Sequence, residues 1–237
     1  MIRINYLGRL GNQMCQYAFA RLLAEALGYR LAAESLPAFP NTRGVVDGVI
    51  ADGEEVTMTD LNNVVPPDTI AAIAVQYAGH RVRLHGHFEQ SSYFLPQRER
   101  VRHWFDGPAD TRFENVVCLR GTDVRTNTDV HLGADYYRAA LNIVGRQNTV
   151  IITDDPQWDY VRSFGLPAFN LGQQDNFRCF RGAKRIVLSK STFSWWAAFL
   201  GNPELVVQPE PATGWRSLQT TPHRYLGVPS WTKLAVP

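Results

Sequence analysis

The sequence predicts an α/β protein built around parallel sheet. Three observations carry this. Short apolar runs of strand length alternate with segments of helical period. Several of those runs end in Gly, Ser, Thr or Asp, the residues expected where strands open toward a ligand. The composition, 45% hydrophobic and 19% charged with no low-complexity tract and no internal repeat, is that of a globular chain.

Ile2 to Tyr6 reads as a first strand, Gly8 to Asn12 as a turn, and Gln13 to Leu27 as a helix with Met14, Tyr17, Ala18 and Leu22 on one face. The stretch from Leu36 to Asp68 is rich in Pro, Gly, Asn and Asp and is expected to hold loops and short irregular pieces. Val82 to His87 reads as a strand, followed by the aromatic segment Phe88 to Phe94. FDGPAD at 105–110 breaks both periodicities and sets a domain boundary, giving an N-terminal α/β domain over 1–107. Beyond it come strands at Val116–Leu119, Val150–Thr153, Arg185–Leu188 and Leu205–Gln208, with helices at Tyr136–Val144 and Phe193–Leu200. These define a second domain over 108–219, and a tail over 220–237 that carries Trp231 but no strong period.

Bulk properties exclude several classes. Lys plus Arg number 24 against 22 Asp plus Glu, a net charge of +2, which gives no basic surface for nucleic acid. Cys15, Cys118 and Cys179 are odd in number and lack CxxC spacing, so neither a disulfide framework nor a structural zinc site is expected, and a reducing compartment fits. The opening MIRINYLGRLGN cannot form the apolar core of a signal peptide, and no run approaches the ~18 apolar residues of a membrane span. The expectation is a cytoplasmic protein without an integral membrane segment; peripheral association with a membrane is compatible with it.

Three segments hold polar residues that a packed core does not require. In Leu7-Gly8-Arg9-Leu10-Gly11-Asn12-Gln13 a Gly-bearing turn opens into a helix, where free N–H groups favour an anion; the plainer account is a tight connection with Gly8 and Gly11 supplying positive φ. Cys118-Leu119-Arg120-Gly121-Thr122-Asp123 ends a strand, and Arg120 suits a phosphate clamp, with Asp123 orienting it; the alternative is an ordinary surface ion pair. In Ser189-Lys190-Ser191-Thr192-Phe193-Ser194-Trp195-Trp196 the hydroxyls exceed what one helix cap needs, which points to an anion site, while the two Trp read as core. Thr153-Asp154-Asp155-Pro156 reads as a helix start with Asp155 as N-cap and Pro156 at the first helical position, leaving Asp154 to face a ligand. His85 and His87 alternate and would share one sheet face if the strand continues, but no HExxH or CxxC spacing supports a metal, and none is expected.

Several of these residues also carry a resemblance. GRLGNQMCQYA at Gly8 to Ala18 looks like the N-terminal signature of glycosyltransferase family 11, the α-1,2-fucosyltransferases, and GHFEQSSYF at Gly86 to Phe94 is similar to that family's aromatic segment. DYYRAAL at Asp135 to Leu141, TDDPQW at Thr153 to Trp158 and SKSTFSWWAAFLG at Ser189 to Gly201 follow in the family's order. The resemblance runs from about residue 5 to about residue 215. The chain departs from it at the family's HxRRGD motif, which is here CLRGTD, and at Glu89, where Gln is usual.

The resemblance implies a GT-B-type fold, two Rossmann-like halves facing a cleft, the C-terminal half binding GDP and the N-terminal half the acceptor. It implies inverting, metal-independent transfer of L-fucose from GDP-fucose to a hydroxyl of an oligosaccharide or polysaccharide, in α-1,2 linkage, with the nucleotide sugar as substrate and no cofactor. By position, Arg120 matches the arginine on the β-phosphate, Asn12 the asparagine near the donor, and Asp175 the aspartate that reads guanine. Asp154, Ser191, Thr192 and Phe193 match segments around the nucleotide. Arg9, Gly11, Asp123 and Ser194 complete the expected donor site, and Glu89 and then His87 are the candidates for a general base. Two other readings remain open: a transferase of the same architecture using another nucleotide sugar, and a non-catalytic nucleotide- or carbohydrate-binding protein.

Overall fold

Parallel strands dominate both units into which the chain divides, Met1–Gly107 and Pro108–Pro237. The computed structural model describes residues 1–61, 66–122, 131–210 and 225–236.

In the first unit, β1 (Ile2–Ile4) passes through a turn at Gly8, φ 75°, into α1 (Leu10–Leu27). Gln16, fully buried on α1, holds that turn: its amide donates to the Leu7 carbonyl at 2.7 Å and its carbonyl accepts the Leu7 N–H at 2.9 Å. Met14, Tyr17, Ala18 and Leu22 are buried as the period predicts, but so are Cys15, Phe19, Ala20 and Leu23, because α1 is covered on nearly every side. Gly28 ends the helix in the left-handed region, with Tyr29 N–H bonded to the Ala24 carbonyl and Gly28 N–H to that of Glu25. There follow β2 (Leu31–Ala32), β3 (Val45–Val46), β4 (Glu55–Thr59), α2 (Ile70–Tyr77), β5 (Arg81–His85), α3 (Ser91–Phe94) and α4 (Arg98–Trp104). The sheet order is β3-β2-β1-β5-β4, parallel throughout except for β3.

Two expectations are corrected here. The stretch read as irregular contains a full five-residue strand, β4, whose pairing with β5 outweighs its weak apolar pattern. The strand containing His85 stops at that residue, and Gly86 begins a turn, so His85 and His87 do not share a strand face.

The second unit comprises β6 (Asn115–Leu119), α5 (Ala134–Val144), β7 (Thr149–Thr153), α6 (Asp159–Arg162), β8 (Ala168–Phe169), α7 (Gln173–Gly182), β9 (Arg185–Val187), α8 (Thr192–Leu200), β10 (Leu205–Glu210) and β11 (Thr232–Ala235). All six strands are parallel, in the order β11-β10-β9-β6-β7-β8. Central β6 and β7 are buried at every residue, as strands covered on both faces must be. Val117, Leu119, Tyr137, Leu141, Ile151 and Phe164 form part of its core. Asp155 does not cap a helix; Pro156 sits in a turn, and α6 starts only at Asp159 behind Trp158. The segment from 225 onward belongs to this unit: the Trp195 indole donates to the Leu226 carbonyl at 2.6 Å, and Gln208 exchanges two hydrogen bonds with the Val228 backbone. Among the described residues no helix is long and apolar enough to cross a membrane.

Trp195 and Trp196 are core residues, the latter with no exposed surface and packed edge-on to Phe199. Trp196→Ala is expected to lower the free energy of unfolding by about 3–5 kcal/mol, read from denaturant titration followed by circular dichroism.

Candidate functional site

Strand order locates where each sheet opens. From β6 the chain moves outward to β7 and β8, then returns to β9 on the other side of β6 and proceeds to β10 and β11. Connections diverge between β6 and β9, the switch point outside whose carboxyl ends ligands of parallel sheets bind. Arg120 directly follows β6, and Ser189 to Ser191 lead from β9 into α8. Arg120 spans the point, its Nη1 donating to the Lys190 carbonyl at 3.0 Å. Ser191 is the α8 N-cap, with extended backbone (φ −149°, ψ 122°) and no side-chain cap bond. The first-turn N–H groups are therefore not satisfied by the Ser191 hydroxyl, and the positive end of a nine-residue helix is presented beside a guanidinium. Thr192 and Ser194 are buried, with Ser194 Oγ donating to the Ser191 carbonyl at 3.2 Å, while Ser191 and Phe193 are partly exposed. Phe193 packs on Phe177 and Phe180 of α7. Asp175 lies in the first turn of α7, half-exposed and paired with Arg178 at 2.9 Å. An ion pair that exposed costs little to separate.

Asp154 follows β7, the neighbour of β6, and its carboxylate organises the turn after Arg120. It accepts the Gly121 N–H at 2.5 Å, the Thr122 N–H at 3.3 Å and the Thr122 hydroxyl. Desolvation works to raise its pKa, but the Thr122 hydroxyl and these N–H groups outweigh it and hold the carboxyl below its ordinary value. A Cβ on Gly121 would stand 2.6 Å from Asp155 Cβ, so this approach requires glycine. Asp123 lies outside the described residues. Beside Arg120 is a pocket bounded by Leu119, His131, Tyr137, Tyr160 and Ser189, with about 190 Å³ of empty space including its open mouth. Most of that space is open solvent, and the enclosed part has room for about one water. His131 packs on Tyr160 and Trp158, and burial lowers its pKa.

The first unit repeats the plan. Its connections diverge between β1 and β5. The turn after β1 carries Arg9, the exposed α1 N-cap, and α1 opens with buried Gly11 and Asn12; Gly11 is helical, and only Gly8 has the positive φ expected of both. The turn after β5 carries His87 and Glu89. Asn12 Nδ2 donates to Glu89 Oε1 at 2.5 Å and lies 3.4 Å from His87 Nδ1. Asn12 and Glu89 are 6% and 2% exposed, whereas His87 is partly exposed.

The fixing of this second turn was not foreseen from the sequence. Asp60 follows β4, the neighbour of β5, and its buried carboxylate accepts the His87 N–H at 2.8 Å and the Phe88 N–H at 2.6 Å. Phe88 sits at φ 54°, a left-handed conformation that costs a bulky residue about 1–3 kcal/mol. Its ring stacks on Phe19 at 4.3 Å. Asp60 and Asp154 are the same device used twice. Each is preceded by a Thr whose hydroxyl accepts the N–H two residues on, Leu61 and Asp155 respectively, and each takes two successive N–H groups from the turn after the adjacent strand. Each also crowds a glycine, Gly86 or Gly121. The signal was the dipeptide Thr-Asp at 59–60 and 153–154, too short to register as a repeat.

Among the described residues no three His, Cys, Asp or Glu side chains converge as metal ligands. Neither the models of known protein families nor the curated protein sequences match the chain. Among solved structures it is similar to the E. coli heptosyltransferase WaaC with ADP, at 12% identity and a TM-score of 0.48, over 100% of this chain and 93% of that one.

Because the folded Asp154 carboxyl titrates below the unfolded value of about 3.9, its stabilisation is present above that value and is lost as pH falls through the folded one. Asp154→Asn is therefore expected to melt below the wild type at neutral pH, with the gap closing below about pH 4. Thermal melts across that range check it.

Proposed function

We propose that the chain is an inverting glycosyltransferase that moves L-fucose from GDP-fucose to a glycan hydroxyl without a metal ion. The observation that carries this reading is the meeting of Arg120 with the α8 N-terminus at the β6/β9 switch point. A guanidinium and aligned backbone donors suit a diphosphate, and they are the groups that would stabilise the charge gathering on a departing nucleotide. The neighbouring pocket, lined by Tyr137, Tyr160 and His131, sets aromatic side chains beside the guanidinium. Asp175, paired with Arg178 in an exposed ion pair, can turn to a base edge. The assignment of fucose and of the α-1,2 linkage rests on the likeness of GRLGNQMCQYA and STFSWW to the fucosyltransferase motifs, and by the same likeness Asn12 is read as the asparagine near the donor, with His87 and Glu89 of the first unit on the acceptor side.

A second reading, transfer from a different nucleotide sugar, is favoured by Gly121. It replaces the second arginine of the family motif at a position where no side chain fits. Thermal shift with GDP-fucose, GDP-mannose and dTDP-rhamnose separates the two.

Arg120→Ala is expected to reduce transfer by about 10²–10³-fold with the circular dichroism unchanged, and Arg120→Lys to recover only part, since an ammonium cannot reproduce the planar fork. Radiolabelled fucose transfer measures both, and wild-type turnover in folded Arg120→Ala would overturn the assignment.

A further inference from the structure

The Asn12 amide nitrogen has two hydrogens and no lone pair to offer. It faces Glu89 Oε1 at 2.5 Å and His87 Nδ1 at 3.4 Å. Turning the amide over would set its carbonyl against a carboxylate oxygen at that distance, two acceptors in contact. The accepting Glu89 oxygen therefore decides which way Asn12 points. The amide oxygen lies against Gly8, where a Cβ would stand 3.0 Å from it. With a donor aimed at Nδ1, a neutral His87 ring must carry its proton on Nε2.

The backbone beneath the ring is equally determined. Asp60 holds the N–H groups of His87 and Phe88, Phe88 is kept at φ 54° by its stack on Phe19, and a Cβ on Gly86 would lie 2.0 Å from Asp60 Oδ1. That carboxylate is buried and doubly bonded, so it cannot move aside. A strained, over-determined turn that ends in a partly exposed imidazole is the mark of a preset group.

We propose that Glu89, acting through Asn12, locks His87 in the Nε2–H tautomer and so makes it a hydrogen-bond donor to an oxygen of the carbohydrate substrate. His87 touches the substrate; Asn12, Glu89 and Asp60 are positioning residues. The ligand half of this proposal rests on the glycosyltransferase reading, while the tautomer half does not.

Long-range proton–nitrogen correlation spectra of the protein labelled with ¹⁵N-histidine, at alkaline pH where imidazoles are neutral, read the tautomer directly, and His87→Gln identifies the signals. The wild type is expected to show protonated Nε2 and bare Nδ1. Asn12→Ala and the isosteric Glu89→Gln are expected to move both nitrogens toward averaged values. Loss of the lock in either folded variant supports the proposal; a proton on Nδ1 in the wild type, or a lock that survives in both variants, overturns it. In the transfer assay His87→Gln, which keeps an N–H donor, is expected to retain most activity, and His87→Leu to lose about 10²-fold. Equal loss in the two would overturn the donor role. If the wild type transfers no sugar from any donor, the functional reading falls and the spectra still decide the tautomer.

Discussion

In both sheets an aspartate at the end of one strand grips the backbone just past the end of its neighbour. Asp60 does this for the turn after β5 and Asp154 for the turn after β6. A turn after a parallel strand is otherwise free to wander, because the chain must leave the sheet there and has lost its ladder partners. Tying two consecutive N–H groups to one carboxylate restores the lost bonds and dictates the direction of departure. A third atom approaching so closely excludes a Cβ, which is why Gly86 and Gly121 occur where they do. Arg120, His87 and Glu89 have defined positions because of this grip.

The two clusters built on it differ in sign. At the β6/β9 divergence a guanidinium and a helix start gather donors, and the Asp154 carboxylate is engaged by Gly121 and Thr122. At the β1/β5 divergence a buried carboxylate sits within an amide–imidazole chain. The first environment favours negative charge, and the second, holding a carboxylate of its own, does not.

Much of this was legible in the sequence. The strands of the second unit stood out because β6, β7, β9 and β10 are short apolar runs bounded by turn residues. Arg120 and the Ser191 segment could be named because polar residues at a strand end are conspicuous. What escaped notice depended on partners distant in sequence. β4 alternates Glu, Val, Thr, Met and Thr, which becomes a strand only when β5 lies beside it. α7 begins Gln-Gln-Asp-Asn, poor in apolar residues, and is fixed by Phe177 and Phe180 packing on Phe193. Asp60 looks like a loop residue until the backbone of His87 and Phe88 is brought to it. Asp155-Pro156 has the chemistry of a helix start, yet the chain turns for three more residues before α6, with Trp158 N–H bonded to the Asp155 carbonyl.

β11 closes one edge of the second sheet. β10 pairs on one side with β9, which precedes it closely, and on the other with β11, separated from it by a stretch much longer than either strand. Truncation before residue 225 would therefore leave one side of β10 without a partner and the Trp195 ring without Leu226 and Trp231, turning a finished sheet edge into an open one beside an uncovered indole.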